Sequence, residues 1–365
     1  MSSVLRMRTP GMVLMGRPEG MHGLREILFI NVSRIGDTLL VTPAVRAVAA
    51  ACPVANITFL GHPKRMEILQ NLPFVSRVGA ITKHRARWLG RAGGKRYDLA
   101  FVCGFDAAIV AYALRVAKQV VAFRQPDEAL NARLFCIAES PPFQTEHAVR
   151  IKLRLPATVG IAPAGLHLAY QVTDDEDAWA RKELARVPPP VASPLVGLQV
   201  ASFPTKAYRD WPLGHFIALA DRIRSGWPRA HFLIFGGKAD RARTAALTLH
   251  LGAAATSYAG RLTLRQTAAL MNLLDLYIGV DTGPTHILGA LQRPMVALYH
   301  GYSPSRVLAP LGHPCAYVVD HPLADHGATP ETPMADISVD SVWRMVQRAL
   351  REHPPEFSVS AGKVS

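Results

Sequence analysis

Short apolar runs of buried-strand type alternate with helix-like segments through most of the 365 residues, and this alternation constrains the fold more than any other property of the chain. In the first half the strand-like runs fall at approximately 27 to 32, 56 to 60, 75 to 80, 98 to 103 and 119 to 123. The stretch RVPPPVASP at 186 to 194 then breaks the pattern, because a proline cluster can neither continue a helix nor pair centrally in a sheet. Beyond it the alternation resumes with PLVGLQV, AHFLIFGG, ATSYAG, LYIGV and MVALY. The pattern predicts an α/β protein with parallel sheets, one domain over 25–187, a linker at 188–194, a second domain over 195–337 and a closing amphipathic helix over 338–352. Residues 1–24 read as an extension and 353–365 as a tail. Met21, just ahead of the first strand, is an alternative start. No short-period repeat is present, which argues against a solenoid.

Two βα units carry polar groups where a ligand would sit. Residues 276 to 301, LYIGVDTGPTHILGALQRPMVALYHG, read as a buried strand, the turn DTGPTH, a helix opening on that turn, and a second strand. Free N–H groups and the positive end of the helix dipole at such a turn suit a diphosphate. Any αβ unit also needs a Gly or Asp turn there, so the segment alone does not decide between ligand and structure. Near the start, EILFINVSRIGDTLLVTPAVRAVAAACP (26 to 53) gives a strand, the loop SRIGD and a helix in which Pro43 falls early. Asp37 lies at the start of that helix. It is either an N-cap or a chemically active carboxylate at the carboxyl end of a first strand, where ligands of open αβ sheets gather.

Together with KAYRDWPLGHF at 206 to 216 and FLIFGGKAD at 232 to 240, these segments resemble glycosyltransferase family 9, the group that contains the ADP-heptose:lipopolysaccharide heptosyltransferases. The motifs occur in the family's order. The resemblance implies a GT-B architecture, in which two Rossmann-like domains with parallel sheets face a central cleft. The acceptor is then expected on the first domain and the nucleotide sugar on the second.

The resemblance also implies roles residue by residue. Asp37 matches the catalytic base, and Arg209, two positions before the Trp-Pro pair, matches a basic residue for the departing diphosphate. Lysine is the more usual occupant there, and Lys206 is the alternative contact. Solvated surface cations are the ordinary reading of both. Asp281 is expected towards the donor sugar hydroxyls, Thr282 and Gly283 give N–H groups to the diphosphate, and His286 lies alongside unless it is simply a buried helical histidine. Asp240 matches an acid that holds the nucleotide ribose, and Ser202 and Leu262 fall near nucleotide-binding positions. Trp211 and Pro212 read as the fixed start of the next helix, and the acidic run TDDEDAW at 173 to 179 as a helix N-terminus.

The expected reaction is inverting transfer of a sugar, heptose first among candidates, from a nucleotide diphosphate donor such as ADP-heptose to a lipid-linked surface-glycan acceptor. No cofactor and no metal are expected. Cys52, Cys103, Cys136 and Cys315 lack zinc or disulfide spacing, which fits a reducing cytoplasm. Forty-one Lys and Arg against 27 Asp and Glu give a net charge of +14, which suits a phosphate-bearing ligand or peripheral contact with an anionic membrane surface. Nucleic acid is not an expected partner, since no helix-turn-helix or aromatic-basic RNA motif is present. A nucleotide-sugar epimerase of similar two-domain fold is a competing reading, as is a nonenzymatic polyanion binder. The SRIGD loop has no evident role in epimerisation.

Overall fold

A computed structural model of the chain describes residues 23–142, 144–187 and 193–355. Most of the expected extension, the alternative start at Met21, residues 188–192 of the linker, and the tail from 356 onward lie outside the described residues.

The first sheet is built from β1 (Glu26–Asn31), β2 (Asn56–Gly61), β3 (Arg77–Ala80), β4 (Tyr97–Val102), β5 (Ala117–Phe123) and β6 (Cys136–Ala138). Its order is β3-β2-β1-β4-β5-β6, with every neighbouring pair parallel. The second sheet is built from β7 (Leu195–Gln199), β8 (His231–Phe235), β9 (Ala255–Ser257), β10 (Leu276–Val280), β11 (Met295–Tyr299) and β12 (Ala316–Asp320). Its order is β12-β11-β10-β7-β8-β9, again all parallel. Counted from its own first strand, the second sheet repeats the Rossmann order of the first. Each sheet therefore has a switch point, between β1 and β4 and between β7 and β10, and crevices for ligands open there beyond the strands' carboxyl ends. The expected α/β class with two Rossmann-like parallel sheets is the class observed.

The apolar runs form strands because helices cover both faces of each sheet. Along β1, Ile27 and Phe29 enter one core cluster while Leu28 and Ile30 enter another, all four fully buried. Phe29 stacks between Phe59 and Phe101 at centroid distances of 6.4 and 4.8 Å. The cluster that holds Ile27 and Phe29 also contains Leu195, Leu233 and Tyr277 of the second half, so apolar packing runs continuously across the two sheets.

Three features differ from the sequence reading. β6 has only three residues, too few to show a period. β12 is an edge strand that alternates buried and exposed positions, and nearby prolines disguise it. The single helix expected after SRIGD is split into Ile35–Leu39 and Thr42–Ala51, with Pro43 in the first turn of the second helix, where its missing N–H costs nothing.

The acidic run does begin a helix, Asp174–Leu184, through a capping box of Thr173 and Glu176. That helix packs against Leu264–Met271 of the second half. There the Arg265 guanidinium grips both Glu176 carboxylate oxygens at 2.7 and 2.6 Å. Trp211 is fully buried and donates its indole N–H to Ile337 O at 2.8 Å, which pins the start of helix Leu213–Gly226 beneath the closing helix Val339–Glu352.

Candidate active site

Where the two sheets face each other, a cavity of about 500 Å³ is lined by Asp37 on one side and by Ser202, Lys206, Arg209, Asp240, Leu262, Asp281, Thr282, Gly283 and His286 on the other. Tertiary structure brings every residue singled out from the sequence to one place.

Asp37 is half-buried and is the third residue of helix Ile35–Leu39. Arg34, not Asp37, is the N-cap. The Asp37 carboxylate accepts the Ser33 hydroxyl at 2.8 Å instead of a helix N–H, so capping does not explain it. The loop is braced from outside: Asn31 Nδ2 donates to Asp37 O at 3.1 Å, and Arg65 Nη1 donates to Ser33 O at 3.0 Å.

Helix Ile35–Leu39 crosses helix Gly283–Leu291 of the second half, and glycine makes the crossing close. A Cβ on Gly36 would stand 2.5 Å from His286 Cδ2, and one on Gly283 would stand 3.0 Å from Ile35 Cβ. Thr282 is the N-cap of helix Gly283–Leu291 but makes no capping bond through its side chain, and Pro284 occupies the first turn. The main-chain N–H groups of that turn therefore remain for a ligand in the cavity.

Asp281 is buried among cationic partners. It is 2 % exposed, its Oδ2 lies 2.6 Å from Arg209 Nη1, and its Oδ1 lies 3.3 Å from His286 Nε2. Arg209 Nη1 also donates to Asp281 O at 3.3 Å, so the pair is held by charge and by the main chain together. Burial pushes the Asp281 carboxyl up, but the His286 hydrogen bond and the charges of Arg209, His286 and Lys206 outweigh it and hold the group below its ordinary value. Both carboxylate oxygens thus lie against side-chain nitrogens, Oδ2 against Arg209 and Oδ1 against His286. His286 is both buried, at 5 % exposed, and part of this cluster.

Lys206 contrasts with Arg209. Its ammonium lies 5.4 Å from the Tyr208 ring centroid, and no carboxylate pairs with it among the described residues. The buried Ser202 donates its hydroxyl to Lys206 O at 2.7 Å and its N–H binds Asp210 Oδ1 at 2.7 Å. Ser202 therefore shapes the turn that carries both cations. Asp240 accepts the Gly237 N–H at 2.7 Å through Oδ2, and its side chain lines the cavity. Leu262 joins Phe235, Tyr258 and Leu264 as an apolar wall suited to a flat base.

Sequence reasoning missed Arg34 and Lys238, two further cations of the cavity wall. Both lie inside quoted motifs, SRIGD and FGGKAD, so the signal was their position beside residues already chosen. Among the described residues no group of three or more His, Cys, Asp or Glu is arranged to hold a metal ion, and no helix is long and apolar enough to cross a membrane.

Comparison with known proteins identifies the family and the fold. Lipopolysaccharide heptosyltransferase 2 of Salmonella typhimurium is 26 % identical over 308 residues, covering 79 % of this chain and 86 % of that protein. The lipopolysaccharide core heptosyltransferase OpsX of Haemophilus influenzae is 20 % identical, covering 77 % of this chain and 81 % of that protein. Among solved structures, a glycosyl transferase family 9 protein from Veillonella parvula superposes with a TM-score of 0.76 at 18 % identity, over 90 % of this chain and 97 % of that one. The E. coli ADP-heptose lps heptosyltransferase II superposes with a TM-score of 0.73 at 22 % identity, over 90 % and 99 %. The sequence profile of glycosyltransferase family 9 (heptosyltransferase) matches residues 89–326, well over half of the chain, and the protein is an enzyme of that family.

Proposed function

We propose that this enzyme transfers a heptose, with inversion, from ADP-heptose to a lipopolysaccharide-type acceptor at the inner face of the cell membrane. One observation supports the reading most: the Asp37 carboxylate of the first half faces Lys206, Arg209 and the open N-terminus of helix Gly283–Leu291 across a single cavity. A base and a diphosphate-stabilising pocket on opposite walls are what in-line displacement at an anomeric carbon requires.

In the proposed step the acceptor hydroxyl oxygen attacks the anomeric carbon from the Asp37 side. The bond to the diphosphate oxygen breaks as the new glycosidic bond forms. The hydroxyl proton passes to Asp37, and the electron pair of the broken bond leaves with the diphosphate. Lys206, Arg209 and the main-chain N–H groups of Thr282 and Gly283 receive that developing charge. Asp281 acts through Arg209 and His286. Asp240 holds the ribose, and the Tyr258 and Leu262 wall holds the base.

Asp37→Asn tests the reading. The amide preserves shape but cannot take the proton, so transfer should fall by about a thousandfold while binding of ADP, measured by titration calorimetry, stays near wild type. Near wild-type turnover of Asp37→Ala would remove the base assignment.

A further inference from the structure

Behind Asp37 lies a cation that the proposed mechanism does not use. Lys152, on helix Ala148–Ala157, reaches over the carboxyl end of β4 and donates its ammonium to Cys103 O at 2.6 Å. Cys103 directly follows β4 and its N–H bonds Ile30 O of β1 at 2.9 Å, so this amine sits beside the strand whose loop carries Asp37. It also lies 5.1 Å from the Phe123 ring centroid and 5.9 Å from that of Phe105. These rings contact each other at 5.1 Å, and Phe105 is 53 % exposed.

Among the described residues no carboxylate pairs with Lys152, and Cys103 O is its one hydrogen-bond acceptor. Burial pushes the amine's pKa down, and the charge of Asp37 is among the influences that oppose this. A partly buried ammonium with open donors and no carboxylate partner is stabilised by an anion that meets it. The site is on the acceptor side, next to the base, with an exposed aromatic face of the kind on which sugar C–H groups rest. We infer that Lys152, with Phe105, forms an acceptor subsite for an anionic group, a carboxylate or a phosphate, carried close to the hydroxyl that is glycosylated. The subsite rests on the proposed transfer reaction for its meaning, although not for its binding chemistry.

The test has a binding arm and a transfer arm. In the first, the side-chain NMR signal of Lys152, identified by its loss in Lys152→Met, is followed in the ADP-bound enzyme during titration with methyl glucuronide, glucose 6-phosphate and neutral methyl glucoside. The expected result is a saturable shift with at least one anionic probe and none with the neutral one. The probe acting at the lower concentration identifies carboxylate or phosphate.

In the second arm, deep-rough lipopolysaccharide is the acceptor, used untreated, phosphatase-treated or methyl-esterified. Lys152→Met should raise the acceptor KM by about tenfold, the loss of one charge-assisted hydrogen bond, without changing the donor KM. Lys152→Arg should recover part of it, and removing the recognised acidic group should abolish the difference between wild type and variant. Lys152→Gln replaces Lys152→Met if the latter does not fold. A Lys152 signal unmoved by both anions, or an unchanged acceptor KM in the variant, overturns the subsite. Anion-dependent shifts in an enzyme that transfers no heptose would uphold the subsite and overturn the proposed reaction instead.

Discussion

Lys206 and Arg209 share one turn and meet different fates. Arg209 is paired with buried Asp281, whereas Lys206 has no carboxylate partner among the described residues and so is the cation freer to meet a phosphate in the proposed reaction. Lys206→Ala should therefore raise the donor KM by about tenfold with little change in melting temperature. Arg209→Ala should cost about 3 kcal/mol of stability, because it leaves the Asp281 carboxylate buried without its cation. Arg209→Lys should recover much of the stability and of the transfer rate, since charge is retained and only the planar fork is lost. Donor titration and denaturant melts of the three variants separate these outcomes, and a Lys206→Ala enzyme with wild-type donor KM would return the phosphate role to Arg209. Asp281 adds a pH signature. Its folded-state carboxyl is depressed, so its stabilisation is present above the unfolded value of about 3.9 and is lost as pH falls through the lower folded value. The stability gap between wild type and Asp281→Asn should hold near neutral pH and shrink below about pH 4.

Among the elements, the crossing of helices Ile35–Leu39 and Gly283–Leu291 matters most, because it joins the loop that carries Asp37 to the turn that carries Asp281 and Thr282. The crossing depends on absent side chains: at Gly36 a methyl group would meet the His286 ring, and at Gly283 the branched carbon of Ile35. Gly36→Ala should force the helices apart at a cost of about 1–3 kcal/mol and should lower kcat more than it weakens ADP binding. A melting temperature and kcat equal to wild type would show that the close approach has no bearing on catalysis.

For the molecule as a whole, the two halves are held by polar clasps as well as by shared core. Arg265 grips Glu176, and His147 Nε2 lies 2.7 Å from Ala309 O. Outside the cleft the first half carries a basic surface on which Trp88 is 63 % exposed, with the Arg91 guanidinium 4.7 Å from its ring centroid. Lys64, Arg85, Arg87, Arg91, Lys95 and Arg96 remain candidates for contact with anionic lipid. Arg65 nearby is tied to the Ser33 carbonyl. At about 1 kcal/mol per basic residue, binding to anionic vesicles should be reversible and fade with salt. Co-sedimentation with anionic and neutral vesicles at low and high salt measures this. Equal binding to both kinds, or to neither, would leave the basic surface without a membrane role.

The sequence by itself determined the α/β class and the turns after β1 and β10, because hydrophobic period and turn chemistry are local properties, while the other residues of the cavity wall were implied by the resemblance to the family. Asp37 and Asp281 were visible for that reason: each follows a buried strand and precedes a helix. What each carboxylate holds was not visible. Asp281 meets an arginine 72 positions away, and Lys152 finds its carbonyl 49 positions away. The short β6, the edge strand β12 and the break before Pro43 escaped for a related reason, since neighbours in space and not their own few residues make them regular. Only the tertiary structure could decide that Arg209 is paired, that Lys206 has no such partner among the described residues, and that Lys152 stands near Asp37. A charged group's role depends on which opposite charge and how much water surround it after folding, and neither is encoded within reach of its sequence neighbours.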